Sequence, residues 1–180
     1  MPKKDLINSL AVSLIIGVFI LPLVKSTPIW NSLPSLAWYS LVVIVPLASL
    51  FGMFIAYMIG RKLAVLWQLS KFALVGVSNT VIDFAVLNLL ISVTSITSGP
   101  SIIPVKALAF SSAVVNSYFW NKKWVFSEKK SGDFVSFFIV TATGIGINAL
   151  VVYVITTFVP PIIVKDKVLW ANIANVVSTA

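Results

Sequence analysis

The stretch that decides the fold is FALVGVSNTVIDFAVLNLLISVTSI, residues 72–96, an apolar run interrupted by a single charged residue, Asp83. The run is long enough to cross the roughly 30 Å hydrocarbon core of a bilayer as a helix. A carboxylate at the middle of such a helix costs roughly 2.5 to 3.5 kcal/mol, so intramembrane acids normally face protein, water or a substrate path. The run therefore predicts a membrane helix whose Asp83 faces a polar interior.

The composition of the whole chain is that of an integral membrane protein. Hydrophobic residues make up 59% of its 180 residues and charged residues 10%, and its mean hydropathy is +1.04. This leaves too little polar surface for a soluble globule or a soluble catalytic domain. Cysteine and histidine are absent, which excludes disulfides and metal or nucleophile sites built on either residue. No cofactor or metal site is expected.

Further apolar runs flank this helix on both sides, at residues 6–24, 36–60, 102–124, 134–159 and 168–180. The first is interpreted as a retained helix, because no small-residue signal-peptide cleavage pattern follows it. In the second, Gly52 and Ala56 predict a small-residue packing face. The last rises only about 20 Å, which is too short to span the membrane, so we expect an incomplete helix.

The distribution of basic residues predicts the orientation in the membrane, because Lys and Arg near helix ends are retained in the cytoplasm. Nine of them fall on one side, namely Lys3, Lys4, Arg61, Lys62, Lys71, Lys122, Lys123, Lys129 and Lys130. Three fall on the other side, namely Lys25, Lys165 and Lys167. We therefore expect a multi-pass plasma-membrane protein with a cytoplasmic N-terminus. The net charge of +8 is explained by anchors that meet anionic lipid headgroups, and a nucleic-acid partner is not expected.

A weak internal repeat is visible when the chain is shifted by 65 residues. The shift lays Asp83 on Asn148 and Ala109 on Ala174. Because each unit holds two crossings, the two copies would be parallel repeats. The predicted fold is an all-α membrane protein: a four-helix core of two such repeats over residues 71–180, preceded by an N-terminal helical hairpin over residues 1–70.

Two motifs carry a resemblance to a known family. The first is KFALVGVSNT at residues 71–80, followed by Asp83, and the second is Asn116 followed by NKKWVF at residues 121–126. Both resemble the GtrA family of small membrane proteins over roughly residues 71–180, although a second copy of the Asn-and-basic motif would fall beyond Ala180. The resemblance implies four core helices. It also implies translocation of polyprenyl-phosphate-linked sugars for cell-surface polysaccharide or teichoic acid glycosylation.

The candidate substrate-binding residues are the polar residues of these motifs and runs, namely Asn79, Asp83, Lys106, Asn116, Asn121, Lys122, Lys123 and Asn148. Asp83 lies about 17 Å from the start of its helix and could exchange a proton or hold sugar hydroxyls. The adjacent lysines 122 and 123, here called the lysine pair, suit a phosphate that must arrive and leave.

Several of these residues also have a structural explanation. Asp83 could form a structural ion pair or be capped by Thr80. The lysine pair could be a plain topology anchor within an aromatic belt, and Asn116 could hydrogen-bond between helices. Lys106 could snorkel outward, neutralise Asp83, or receive a phosphate on the external side.

Three functions stay open on the sequence alone. The first is a translocator, or flippase, that binds a polyprenyl-phosphate-linked sugar and membrane lipids. The second is a scaffold subunit that recruits a glycosyltransferase through the loop at residues 122–133. The third is a small proton-coupled exporter that uses Asp83, and a second copy of the chain is a further candidate partner. An enzyme is not expected, since the acidic residues that could hold a metal are scattered, at Asp5, Asp83, Glu128, Asp133 and Asp166.

Overall fold

The computed structural model describes residues 1–26, 28–32, 34–127, 134–161 and 164–179, without the side chains of residues 28, 29, 64 and 134–141. Within these ranges the chain forms helices joined by turns, which confirms an all-α membrane protein. The helices are α1 (Lys3–Lys25), a 3₁₀-helix (Pro28–Ser32), α2 (Ser35–Tyr39), α3 (Leu41–Gly60), α4 (Ala64–Thr94), α5 (Ile102–Trp120), a π-helix (Asn121–Val125), α6 (Phe134–Phe158) and α7 (Lys167–Thr179).

Four helical stretches of the described chain are long and apolar enough to cross a membrane, namely Lys3–Lys25, Ser35–Gly60, Val65–Thr94 and Ile102–Val125. Ala142–Phe158 is a shorter apolar helix. α4 begins at Ala64, earlier than the apolar run at residue 72, and it passes without interruption through position 70. α7 has 13 residues and rises about 20 Å.

Helices α4 to α7 form a closed ring in which each helix contacts the next and α7 returns to α4. Among the described residues, the contact between α4 and α7 is the least extensive of the four. Small residues let the helices approach closely, as Ala109, Ala171 and Ala174 do here. The apolar centre of the ring consists of Leu87, Ile91, Ile102, Val105, Ala109, Val152, Ala171 and Ala174. The internal two-helix repeat stays a prediction.

The N-terminal helix packs directly onto this ring. α1 contacts both α3 and α4, and it buries a stripe of residues spaced four apart: Asp5, Ser9, Ser13 and Gly17. A Cβ atom placed on Gly17 would lie 3.2 Å from the Cα of Val42 in α3, so the two helices approach closely because this position has no side chain. α1 therefore adds a further helix next to the four of the ring, packed on α4.

The packing face predicted at Gly52 and Ala56 is wrong. Gly52 is exposed, and a Cβ atom placed there meets no described atom within 4 Å. α3 instead buries Pro46 and Met53, and Pro46 lies against Gly17 of α1. The small residues of α1, not those of α3, make the close contact in this hairpin.

The chain topology gathers most basic residues at one end of the helices, here called the basic end. It consists of the start of α1, the turn after α3 with Arg61 and Lys62, and the π-helix with the lysine pair. At the opposite end, Ser95 adopts a left-handed conformation with φ 59° and ends α4. Which end faces the cytoplasm stays a prediction.

Candidate functional site

Three layers of polar side chains cross the bundle at different heights of α4, and the middle layer contains Asp83. The Lys106 Nζ of α5 donates to both carboxylate oxygens of Asp83, at 2.5 and 2.6 Å. The Asn175 Nδ2 of α7 donates to Asp83 Oδ2 at 3.0 Å. Asp83 is 2% exposed and Lys106 is 0% exposed. One buried ion pair with an amide donor thus joins three helices.

The contacts in this layer show which of the predicted structural roles Asp83 and Lys106 have. Lys106 lies inside the bundle, with its Nζ 5.4 Å from the centre of the Phe110 ring, and does not snorkel outward. Thr80 donates its hydroxyl to the Gly76 carbonyl at 3.2 Å and does not cap Asp83. Lys106 is therefore the group that neutralises Asp83.

The middle layer continues into the fourth helix through α7. Ser178 donates its hydroxyl to the Asn175 carbonyl at 2.9 Å, and Asn148 of α6 donates its Nδ2 to the Ser178 hydroxyl oxygen at 2.9 Å. Asn148 is 3% exposed, and its Oδ1 has no partner among the described residues. The network that starts at Lys106 therefore ends on a buried acceptor that can take one more donor.

The second layer lies closer to the basic end. Asn116 of α5 donates its Nδ2 to Asn79 Oδ1 at 2.8 Å and to Ser78 Oγ at 3.1 Å. Its own Oδ1 accepts from Trp120 Nε1 at 3.1 Å. Asn79 lies four residues before Asp83, hence about 6 Å lower along α4. The structure thus brings the predicted residues Asn79 and Asn116 together.

The third layer lies toward the opposite end, and its α4 member, Asn88, was missed by the sequence analysis. Asn88 of α4 and Asn172 of α7 exchange two amide hydrogen bonds of 2.8 and 2.9 Å. Asn88 is buried and lies about 7.5 Å beyond Asp83 along α4. The available signal was a second polar side chain inside the same apolar run. It was easy to overlook because an amide is less costly in hydrocarbon than a carboxylate.

The lysine pair lies apart from these layers, on the π-helix at the basic end. Lys122 Nζ donates to Tyr118 Oη at 2.9 Å, and Lys123 Nζ lies 4.4 Å from the centre of the Phe119 ring. Both lysines are exposed and are roughly 24 Å from Lys106 along the helix axis. Asn121 donates to Ser117 Oγ at 3.1 Å, while its Oδ1 is buried with no partner in the described chain.

The predicted site residues therefore form two separate groups. Asp83, Lys106 and Asn148 belong to the buried middle layer and the half-buried Asn79 and Asn116 to the second layer, whereas Asn121 and the lysine pair lie at the basic end. Among the described residues, no three Asp, Glu, His or Cys side chains gather as a metal site. Residues 128–133, which hold most of the charges of the predicted docking loop, lie outside the described residues.

Comparison with known proteins identifies this arrangement with a family. Residues 71–180, more than half of the chain, match the family model described as "GtrA/DPMS, transmembrane domain". The matched region contains α5, the π-helix, α6, α7 and most of α4, and thus all three polar layers. α1, α2 and α3 precede it.

A relative in Bacillus subtilis (strain 168), the uncharacterized membrane protein YngA, is 35% identical to this chain over 88 residues. The alignment covers 47% of this chain and 56% of the relative, so the chain spans about half the length of the relative that it matches. No solved structure matches the chain.

Proposed function

The chain belongs to the GtrA/DPMS transmembrane-domain family, and we propose that it moves a polyprenyl-phosphate-linked sugar across the membrane. The observation that carries this proposal is the set of three polar layers within an otherwise apolar bundle, a buried one in the middle and a partly buried one on each side. Moving hydroxyl groups into hydrocarbon without partners costs several kcal/mol each. Amides and a carboxylate at successive heights offer sugar hydroxyls exchangeable partners along the crossing.

The phosphate and the prenyl chain require different surroundings from the sugar. The lysine pair offers two exposed cations at the basic end, and a lysine binds phosphate as a mobile point charge. The outer faces of the helices expose large apolar side chains such as Val93, Leu108 and Val115, on which the prenyl chain can stay in lipid. Each of the three parts of the proposed substrate, namely the sugar, the phosphate and the prenyl chain, thus has a chemically matching surface on the protein.

The sugar reaches the layers by a lateral route between α4 and α7. This seam is the least extensive contact of the ring, and two polar contacts cross it: the Asn88–Asn172 pair and the Asn175–Asp83 hydrogen bond. Sugar hydroxyls can replace both kinds of contact without leaving a polar group unpaired. The seam can therefore open at lower cost than an apolar helix interface.

The test is transport in vesicles that contain the purified protein. A polyprenyl-phosphate sugar with a fluorescent label is incorporated in both leaflets, and a membrane-impermeant quencher reports the fraction that crosses. We expect faster crossing than in empty vesicles. Replacing Lys122 and Lys123 with Gln should slow it about tenfold, since a hydrogen bond to a charged group contributes roughly 1.5 to 3 kcal/mol.

The matched control replaces Lys3 and Lys4 with Gln, which removes the same charge from exposed positions at the same end of the molecule. Equal slowing in both variants would assign the effect to general surface charge and overturn a specific role for the lysine pair. Vesicles that move no labelled lipid, together with purification of a bound glycosyltransferase, would replace the translocator with the scaffold function.

A further inference from the structure

We propose that the N-terminal helix α1 is a positioning part of the phosphate site, because Asp5 holds the π-helix that presents the lysine pair. The inference rests on the proposed function for the role of the lysines, but its geometry is independent of it. α1 lies outside the region that matches the family, so this contribution adds to what the family match covers.

Asp5 is a buried carboxylate with two partners from different parts of the chain. It is 7% exposed, and its Oδ1 accepts from Trp124 Nε1 at 2.7 Å. The same oxygen lies 2.7 Å from Lys71 Nζ. Lys71 Nζ also lies 4.8 Å from the centre of the Trp67 ring and 5.7 Å from that of Trp124. α1, α4 and the π-helix therefore meet at one carboxylate.

The π-helix is the kind of segment that needs such support. Its hydrogen bond from Phe126 N to the Asn121 carbonyl, 2.9 Å long, spans five residues, and π-helices are rare single turns that often occur at functional sites. Trp124 is 2% exposed and follows Lys123 directly. Fixing the Trp124 ring against α1 thus fixes the backbone that carries both lysines.

The contact also reaches the polar layer nearest the basic end. The Trp124 ring packs edge-on against Trp120, with centroids 6.1 Å apart, and Trp120 donates to Asn116, which binds Asn79. Asp5 therefore stands at the start of a continuous series of contacts from α1 to the interior of the bundle. A shift of Trp124 would be felt both at the lysines and at this layer.

Docking of α1 does not by itself require a charge. Ser9, one turn further along the same buried stripe, is also buried, and its Oγ has no partner in the described chain. A buried carboxylate is costly unless it is paired and hydrogen-bonded. The residue type at position 5 is therefore explained by its contacts with Trp124 and Lys71, whereas a neutral residue would satisfy packing.

The test uses the absence of native cysteine to place one spin label at position 123, through Lys123→Cys in the full chain. We expect Asp5→Ala to increase the mobility of the label. Trp124→Phe, which keeps a ring but removes the N–H donor, should do the same, and the double variant should add nothing further. Asp5→Asn should have a smaller effect, because its amide oxygen can still accept from Trp124. Ser9→Ala is the matched control and should leave the spectrum unchanged.

The second arm measures the affinity of the unlabelled protein for decaprenyl monophosphate in detergent. Asp5→Ala and Trp124→Phe should each weaken binding about tenfold, and Ser9→Ala should not. Unchanged label mobility in both variants, or an equal change in Ser9→Ala, would overturn the positioning role. Increased mobility with unchanged affinity would also overturn it, since the lysines would then not depend on Asp5. A wild-type protein that binds no probe would count against the proposed function, while the spectra still decide the geometry.

Discussion

Neutralising one partner of the Asp83–Lys106 ion pair should destabilise the protein more than neutralising both. The three variants are Asp83→Asn, Lys106→Met and the double variant. Each single variant leaves one charge inside the bundle without its counter-charge, whereas the double variant leaves a neutral amide next to an apolar chain of similar size. A smaller loss of stability in the double variant than in either single variant therefore shows that the two charges compensate each other in the folded protein.

The magnitude follows from burial. Both side chains are almost completely inaccessible, and removing one partner of a buried pair typically costs about 3 to 5 kcal/mol. The cost of Lys106→Met should lie at the upper end of this range, because Asp83 would lose its counter-charge and keep, of its described polar contacts, the Asn175 hydrogen bond alone. Asp83→Asn should cost less, since the new amide oxygen still accepts from Lys106. The double variant should cost about 1 to 2 kcal/mol, because replacing a whole buried pair by neutral groups is often close to neutral.

The assay is equilibrium unfolding in mixed micelles, followed by tryptophan fluorescence. The control is Lys165→Met, which removes a charge from an exposed position and should change the free energy of unfolding by less than about 0.5 kcal/mol. Single-variant costs below about 1 kcal/mol, or costs that simply add in the double variant, would refute compensation. In that case the two groups would be hydrated or neutral in the folded state.

Other contacts give equally direct expectations for the same unfolding assay. Asn116→Ala removes hydrogen bonds between α4 and α5 and should cost about 1 to 2 kcal/mol; a neutral result would mean that water replaces the amide. Gly17→Leu should cost about 1 to 3 kcal/mol through overpacking, whereas Gly52→Leu should be nearly neutral, and similar costs would contradict the close contact of α1 with α3. Asn88→Leu should cost more alone than together with Asn172→Leu, because the single change leaves the amide oxygen of the half-buried Asn172 without its described donor; additive costs would argue against the pair.

Hydropathy alone predicted the helices, because a bilayer forces nearly every spanning segment to satisfy its backbone hydrogen bonds internally. The predicted runs and the observed helices differ mainly at their ends. α4 extends back to Ala64, past Lys71, whereas the apolar run begins only at Phe72. The inward direction of Asp83 was predictable for the same reason, since an acid in a long apolar run has few tolerable surroundings.

The partners of these residues were not predictable from the sequence. The sequence allowed three roles for Lys106, and the packing of α5 against α4 selects one of them. The role of Asp5 was missed because its partners, Lys71 and Trp124, are distant in sequence. Gly52 was a wrong prediction because small-residue spacing marks a surface that can pack closely, while the neighbouring helix decides whether it does. Which residues become partners depends on how the helices pack, and the local pattern of a sequence does not specify that packing.

The distribution of charge makes the lysine pair a better place for the substrate phosphate than the middle layer. Lys106 is the cation at the level of the middle layer, and it is already compensated by Asp83. A phosphate that entered this layer would have to displace the carboxylate and leave it unpaired, at a cost of several kcal/mol. The lysine pair at the basic end carries no such penalty, since it is exposed. We therefore expect the phosphate to bind first at the lysine pair while sugar hydroxyls enter the polar layers. Its later passage through the middle layer requires that a substrate hydroxyl take the place of Lys106 on Asp83.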